Sequence, residues 1–206
     1  MRVKDPRFPK FVVLVNGSVP LALLVWDAYF GHLGANPVTF AIRTTGMMTL
    51  VFLLLSLTVT PLRLATGWNW LSHFRRMLGL YAFFYGVLHL LTYFSFDRTF
   101  SIRGTFDDVI QRPFILLGMT GLLLMLPLAL TSTNNSIKRL GAARWKRLHQ
   151  LAYLAAIAGV THYYVLVKAD TRQPIAFACA LGVLFLYRIL VHRLPLLKRG
   201  RKVAAA

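Results

Sequence analysis

Residues 76–96, RMLGLYAFFYGVLHLLTYFSF, decide the fold. Beyond Arg76 this stretch holds no Asp, Glu, Lys or Arg, and about 20 such residues are what a helix needs to cross a hydrocarbon core of about 30 Å. Its one readily titratable side chain is His89. An imidazole inside a membrane span is costly, and a proton partner, a metal or a haem iron offsets that cost.

The same pattern recurs along the chain. The 206 residues are 57% hydrophobic, and six segments approach spanning length: 11–30, 46–62, 76–96, 114–131, 147–167 and 174–192. The expectation is an all-α integral membrane protein, a six-transmembrane-helix bundle forming a single domain over residues 1–206. The first segment has the basic start and apolar run of a signal peptide. It lacks a small-residue cleavage pattern and continues to Trp26 and Phe30, so it reads as a retained helix, kinked around Asn16, Gly17, Ser18 and Pro20. The single cysteine, Cys179, reads as a buried structural thiol.

A net charge of +18 raises nucleic acid as a partner, but the placement of the charges argues for a membrane. Arg2, Lys4, Arg7 and Lys10 precede the first segment; Arg63, Arg75 and Arg76 flank the second connection; Lys138, Arg139, Arg144, Lys146 and Arg147 fill the fourth; and the tail adds Arg193, Lys198, Arg199, Arg201 and Lys202. On the opposite side Arg43 stands alone, Arg98, Arg103 and Arg112 are offset by Asp97, Asp107 and Asp108, and Lys168 and Arg172 face Asp170. By the positive-inside rule both termini are expected in the cytoplasm, which places the chain in a bacterial inner membrane as a multi-pass protein.

His149 and His162 fall on the fifth segment, thirteen residues apart. The third and fifth segments both start inside, so thirteen residues at about 1.5 Å each carry His89 and His162 to one level near the outer face. Two imidazoles facing each other across a bundle can hold a haem iron from both sides. His149 lies near the inner mouth. Its depth-matched neighbours on the third segment are Arg75 and Arg76, and arginine is not an iron ligand. Gly79, Gly86 and Gly159 leave bare surface near these histidines, as a macrocycle needs and as ordinary helix packing also produces. Arg75, Arg76, Arg144 and Arg147 serve as headgroup anchors, and a guanidinium also suits a haem propionate or a flavin phosphate. His32, His73 and His192 lie in connections or at helix ends and read as solvated, with His73 placed to fold back towards the inner site.

The stretches GHLGANPV (31–38), RTTG (43–46), LSLTVTPLR (55–63), RRMLGLYAFFYGVLHLLTY (75–93), RPFILLGMTGLLLMLPLALTS (112–132) and LGAARWKRLHQLAYLAAIAGVTHYY (140–164) together resemble the ferric-reductase-like transmembrane family, and the last is the most specific. The resemblance implies a b-type cytochrome of the inner membrane. It implies electron delivery to a periplasmic molybdopterin-containing reductase that repairs methionine sulfoxide in envelope proteins. It implies haem b, one or two, at the positions of His89, His149 and His162, with FMN as a further cofactor. Many relatives carry two histidines on each haem helix, and here Arg76 stands in place of the fourth.

The sequence holds no GxGxxG turn between a strand and a helix, no CxxCH and no Ser/His/Asp set, so electrons are expected from membrane quinol or a cytoplasmic flavin reductase. Two other classes stay open: a histidine-relay proton-coupled transporter without haem, and a purely structural subunit. A relay calls for intramembrane acids, yet the chain has no Glu and only Asp27 approaches a span.

Overall fold

A computed structural model describes residues 7–193 and, among them, nine α-helices and no strand. They are α1 (Arg7–Tyr29), α2 (Pro37–Thr66), α3 (Ser72–Thr92), α4 (Ile102–Gln111), α5 (Pro113–Leu130), α6 (Asn134–Leu140), α7 (Ala142–Leu148), α8 (Leu151–Leu166) and α9 (Arg172–Arg193). Their ends follow local chemistry. The Asn36 side chain accepts the Thr39 N–H at 3.0 Å ahead of Pro37, which begins α2, and Gly67, left-handed at φ 74°, closes that helix by donating to the Arg63 carbonyl. Thr133 caps α6 and Ser101 caps α4 in the same way.

Five stretches are long and apolar enough to cross a membrane: α1, α2, α3 with its flanking turns, α5 and α9. Two features depart from the sequence reading. The 147–167 segment is not one helix. The chain turns at His149 and Gln150, where ψ is −3° and −19°, so α7 ends and α8, 16 residues long, starts afresh. His149 therefore sits at a helix end, not on the helix of His162. Cys179, expected to be buried, faces outward on α9, because two residues turn a helix by about 200° and the inward face there belongs to Leu181. The first helix runs unbroken through Pro20, and Asn16 and Ser18 bond back to the carbonyls of Val12 and Leu14. His192 lies outside the residues whose side chains are described.

The core is centred on α2. Leu50, Leu53 and Leu57 meet Ala82 and Tyr85 of α3, Ala155, Ala156 and Val160 of α8, Met125 of α5 and Leu181 of α9. Tyr85 is fully buried, stacks on Phe52 and donates its hydroxyl hydrogen to the Gly17 carbonyl at 2.8 Å, which ties α1 to α3. Gly17 is needed there, since a Cβ on it would stand 2.5 Å from the Tyr81 ring.

Beyond α3 the backbone widens into a π-helical turn over Tyr93–Asp97 and then passes through Thr99 and Phe100, both left-handed (φ 47° and 63°). Such backbone costs about 1–3 kcal/mol per residue and persists only where its surroundings hold it. Here the Phe100 N–H bonds the Phe94 carbonyl, and Asp108 of α4 is clamped from three sides. Asp108 is buried and takes the Tyr93 hydroxyl, the Arg98 guanidinium and, at 3.1 Å, Arg112 Nε. The Tyr93 hydrogen bond and the nearby carboxylates of Asp108 and Asp97 raise the already high pKa of Arg98, so it stays charged. This clamp joins the outer end of α3 to the start of α5.

Candidate functional site

His89 on α3 and His162 on α8 have ring centres 6.1 Å apart and ring planes 81° apart. The Nδ1–H of His89 is donated to the Ile42 carbonyl of α2 at 2.9 Å, and that of His162 to the Phe114 carbonyl of α5. In a neutral imidazole the nitrogen that donates fixes the other as the lone-pair carrier, so both Nε2 atoms are left as acceptors or ligands. Metal-ligating histidines are oriented in this way, with one N–H held by a carbonyl and the other nitrogen free for the metal. The spacing also fits: two metal–nitrogen bonds of about 2 Å in line, plus the half-widths of two imidazoles, come to about 6 Å. The residues present therefore suit a six-coordinate haem iron at this level.

Glycines near the pair differ from those singled out in the sequence. A Cβ on Gly86 would meet Leu122 at 3.0 Å, and one on Gly159 would meet Leu50 at 2.8 Å, so both serve helix packing. The glycines that face the rings are Gly46, where a Cβ would lie 3.0 Å from His89 Nδ1, and Gly118, where it would lie 2.9 Å from His162 Nδ1. Nothing in the residue pattern marked them, because their role arises only when separate helices meet.

The third histidine lines a cavity of about 270 Å³ nearer the inner end, walled by Ser56, Ser72, Arg75, Arg76, Gly79, Ser132 and Trp145 among others. The His149 ring stacks on Trp145 with centres 3.8 Å apart, and its Nδ1 bonds the Trp145 carbonyl at 3.1 Å. Its Nε2 is buried and has no hydrogen-bond partner. A buried orphan nitrogen in a roomy polar cavity is the signature of a group that takes a ligand. Gly79 contributes to the room, since a Cβ there would meet nothing within 4 Å. Arg75 and Arg76 thus share the cavity with His149, and Arg76 also donates to Asn134 at 2.8 Å. Arg147 is exposed and stands apart from the cavity wall, as does His73, which bonds the Trp70 carbonyl.

One charged residue escaped the sequence reading. Arg188 lies within the last span and turns inward, donating to the Tyr153 hydroxyl and, at 2.7 Å, to the Leu57 carbonyl, with its guanidinium 4.7 Å from the Tyr153 ring centre. Its Nε is buried without a partner, and no carboxylate pairs with it among the described residues. The signal in the sequence was its position in an apolar run, the same signal that marked the histidines.

Residues 42–160 match the sequence profile described as the ferric reductase like transmembrane component, more than half of the chain. The chain is 44% identical over 182 residues to a protein of Herminiimonas arsenicoxydans named protein-methionine-sulfoxide reductase heme-binding subunit MsrQ, covering 87% of this chain and 84% of that one. It is 47% identical over 170 residues to the protein of the same name in Caulobacter vibrioides, covering 82% and 81%. It is also 38% identical over 185 residues to the magnetosome protein MamZ of Magnetospirillum gryphiswaldense, covering 87% of this chain and 28% of that longer protein. On this profile match and these near full-length relatives, the chain belongs to the ferric-reductase-like transmembrane family, alongside the proteins named MsrQ.

Proposed function

We propose that this protein is the haem-binding membrane subunit of a methionine sulfoxide reductase system. In this reading it carries electrons from the cytoplasmic or quinone side of the bacterial inner membrane to a periplasmic MsrP-like molybdopterin reductase. The observation that carries the proposal is the pair His89 and His162, each with Nδ1–H tied to a backbone carbonyl and with ring centres 6.1 Å apart. The bundle is read with six spans, the break at His149 and Gln150 lying at the inner end of the fifth, and with both termini inside. The excess of Lys and Arg in the even-numbered connections supports that orientation.

Haem, where it binds, supplies a one-electron carrier whose potential follows its axial ligands, burial and local charge. The chain's own residues do the rest. Ile42 and Phe114 fix the imidazole tautomers, so Nε2 is the atom each histidine presents. The leucines and aromatics packed around α2 exclude water from this level. At the inner end, His149 Nε2 and the guanidinium groups of Arg75 and Arg76 offer one ligand atom and two cations. These suit a second haem with its propionates or an FMN with its phosphate. Arg188, a few side chains behind that cavity, adds a fixed positive charge that favours the reduced form of whatever binds there. Electrons reach this inner site from quinol or from a cytoplasmic flavin reductase.

An absorption spectrum of the purified protein tests the reading. A sharp Soret band with α and β peaks on dithionite reduction is expected. A colourless preparation overturns it and leaves the histidine-relay transporter, for which proton flux into vesicles is the measurement.

A further inference from the structure

Two unconnected pairs of helices have built the same device. His89 of α3 reaches the carbonyl of Ile42 on α2, and the residue four positions on, Gly46, faces the ring. His162 of α8 reaches the carbonyl of Phe114 on α5, and again the residue four positions on, Gly118, faces the ring. In an α-helix the carbonyl of residue i already accepts the N–H of residue i+4, so a second donor must approach its remaining lone pair from the side, past the surface of residue i+4. A Cβ at that residue would occupy the approach. The measured clearances say so: it would stand 3.0 Å from His89 Cε1 and Nδ1 at position 46, and 2.9 Å and 3.0 Å from His162 Nδ1 and Cε1 at position 118. Neither neighbour is the free end of a flexible chain. Each is the ring itself, held by its own hydrogen bond and unable to give way without losing it.

We infer that Gly46 and Gly118 are positioning residues that open the backbone carbonyls of Ile42 and Phe114 to the two imidazoles, and so set which nitrogen each histidine presents to a haem iron. The inference rests on the proposed bis-histidine reading but makes its own claim about residues that touch no cofactor. Gly86 and Gly159 differ in kind, since a Cβ on either would press on the tip of a leucine.

Two measurements on the full-length protein in detergent or nanodiscs test it. First, ¹⁵N-histidine spectra of the wild-type protein before haem loading are expected to show His89 and His162 as Nδ1–H tautomers. An Nε2–H tautomer at either position overturns the inference, whether or not the protein takes haem. Second, Gly46→Ala and Gly118→Ala are each expected to weaken haem retention about 10- to 100-fold, the range for losing a ligand's supporting hydrogen bond. Each is also expected to convert low-spin iron to a high-spin species that binds added imidazole. Gly159→Ala, an equally close contact with a leucine tip, is expected to keep the wild-type spectrum. Wild-type spectra and retention in both alanine variants overturn the inference while leaving the bis-histidine reading intact. A wild-type protein that takes no haem overturns that reading instead, and the tautomer measurement still decides the role of the glycines. An alanine variant that fails to fold leaves the decision to the other variant and to the wild-type tautomers.

Discussion

His89 and His162 come from helices far apart in the chain, yet their ring centres lie 6.1 Å apart with planes at 81°, and each is anchored through Nδ1 to the backbone of a third or fourth helix. Four helices therefore converge on two imidazoles. Their geometry is set by backbone carbonyls, which move only when a helix moves, and not by flexible side chains. A ligand pair built this way is preorganised, and that is what a redox centre needs to exchange an electron with little rearrangement.

The first prediction separates the two levels. His89→Ala or His162→Ala removes one axial nitrogen from the outer pair, and haem per polypeptide is expected to fall by the outer equivalent. His149→Ala leaves the outer low-spin haem in place and changes only the inner cofactor or its rate of reduction. An unchanged haem count and spectrum in His89→Ala contradicts the pairing.

The inner cavity offers a test by filling. Gly79 lines it, and a Cβ there meets nothing, so Gly79→Leu places a side chain in the open space without displacing a neighbour. The expected outcome is loss of the inner cofactor, read as flavin or haem released on denaturation, with the outer spectrum preserved.

Arg188 and Tyr153 form a buried cation–phenol contact with no carboxylate present among the described residues. A double-mutant cycle of Arg188→Met and Tyr153→Phe, followed by thermal unfolding in detergent, is expected to give a coupling of about 0.5–3 kcal/mol. Additive effects show that the two groups act independently.

Asp108 ties Tyr93, Arg98 and Arg112 together above the outer histidines. Asp108→Asn removes the charge that pairs with two partly buried guanidinium groups and is expected to cost about 1–3 kcal/mol. Tyr93→Phe, which deletes one hydroxyl, costs about 1 kcal/mol. Equal losses in the two variants contradict a clamp centred on the carboxylate.

What the sequence made legible depended on contrast. His89 and His162 stood out because an imidazole is rare in an apolar run, and the thirteen-residue depth argument put them at one level before any helix was seen. His149 was visible for the same reason, but the break beside it was not, because ARWKRLHQLAYL has helical residues throughout and no Gly or Pro to mark a turn. Arg188 carried the same contrast and was lost among charges counted by connection. Asp108 was counted as one loop charge against Arg98 and Arg112, whereas folding turns those three into a single buried cluster. Gly46 and Gly118 had no legible signal. A glycine's worth lies in which ring passes beside it, and that is decided by the meeting of α2 with α3 and of α5 with α8.

Low-temperature electron paramagnetic resonance of the ferric protein, wild type beside His89→Ala, tests the central claim most directly. The account predicts a low-spin bis-imidazole signal in the wild type and its replacement by a high-spin signal, or its loss with the haem, in the variant. A wild-type low-spin signal that persists unchanged in His89→Ala contradicts it.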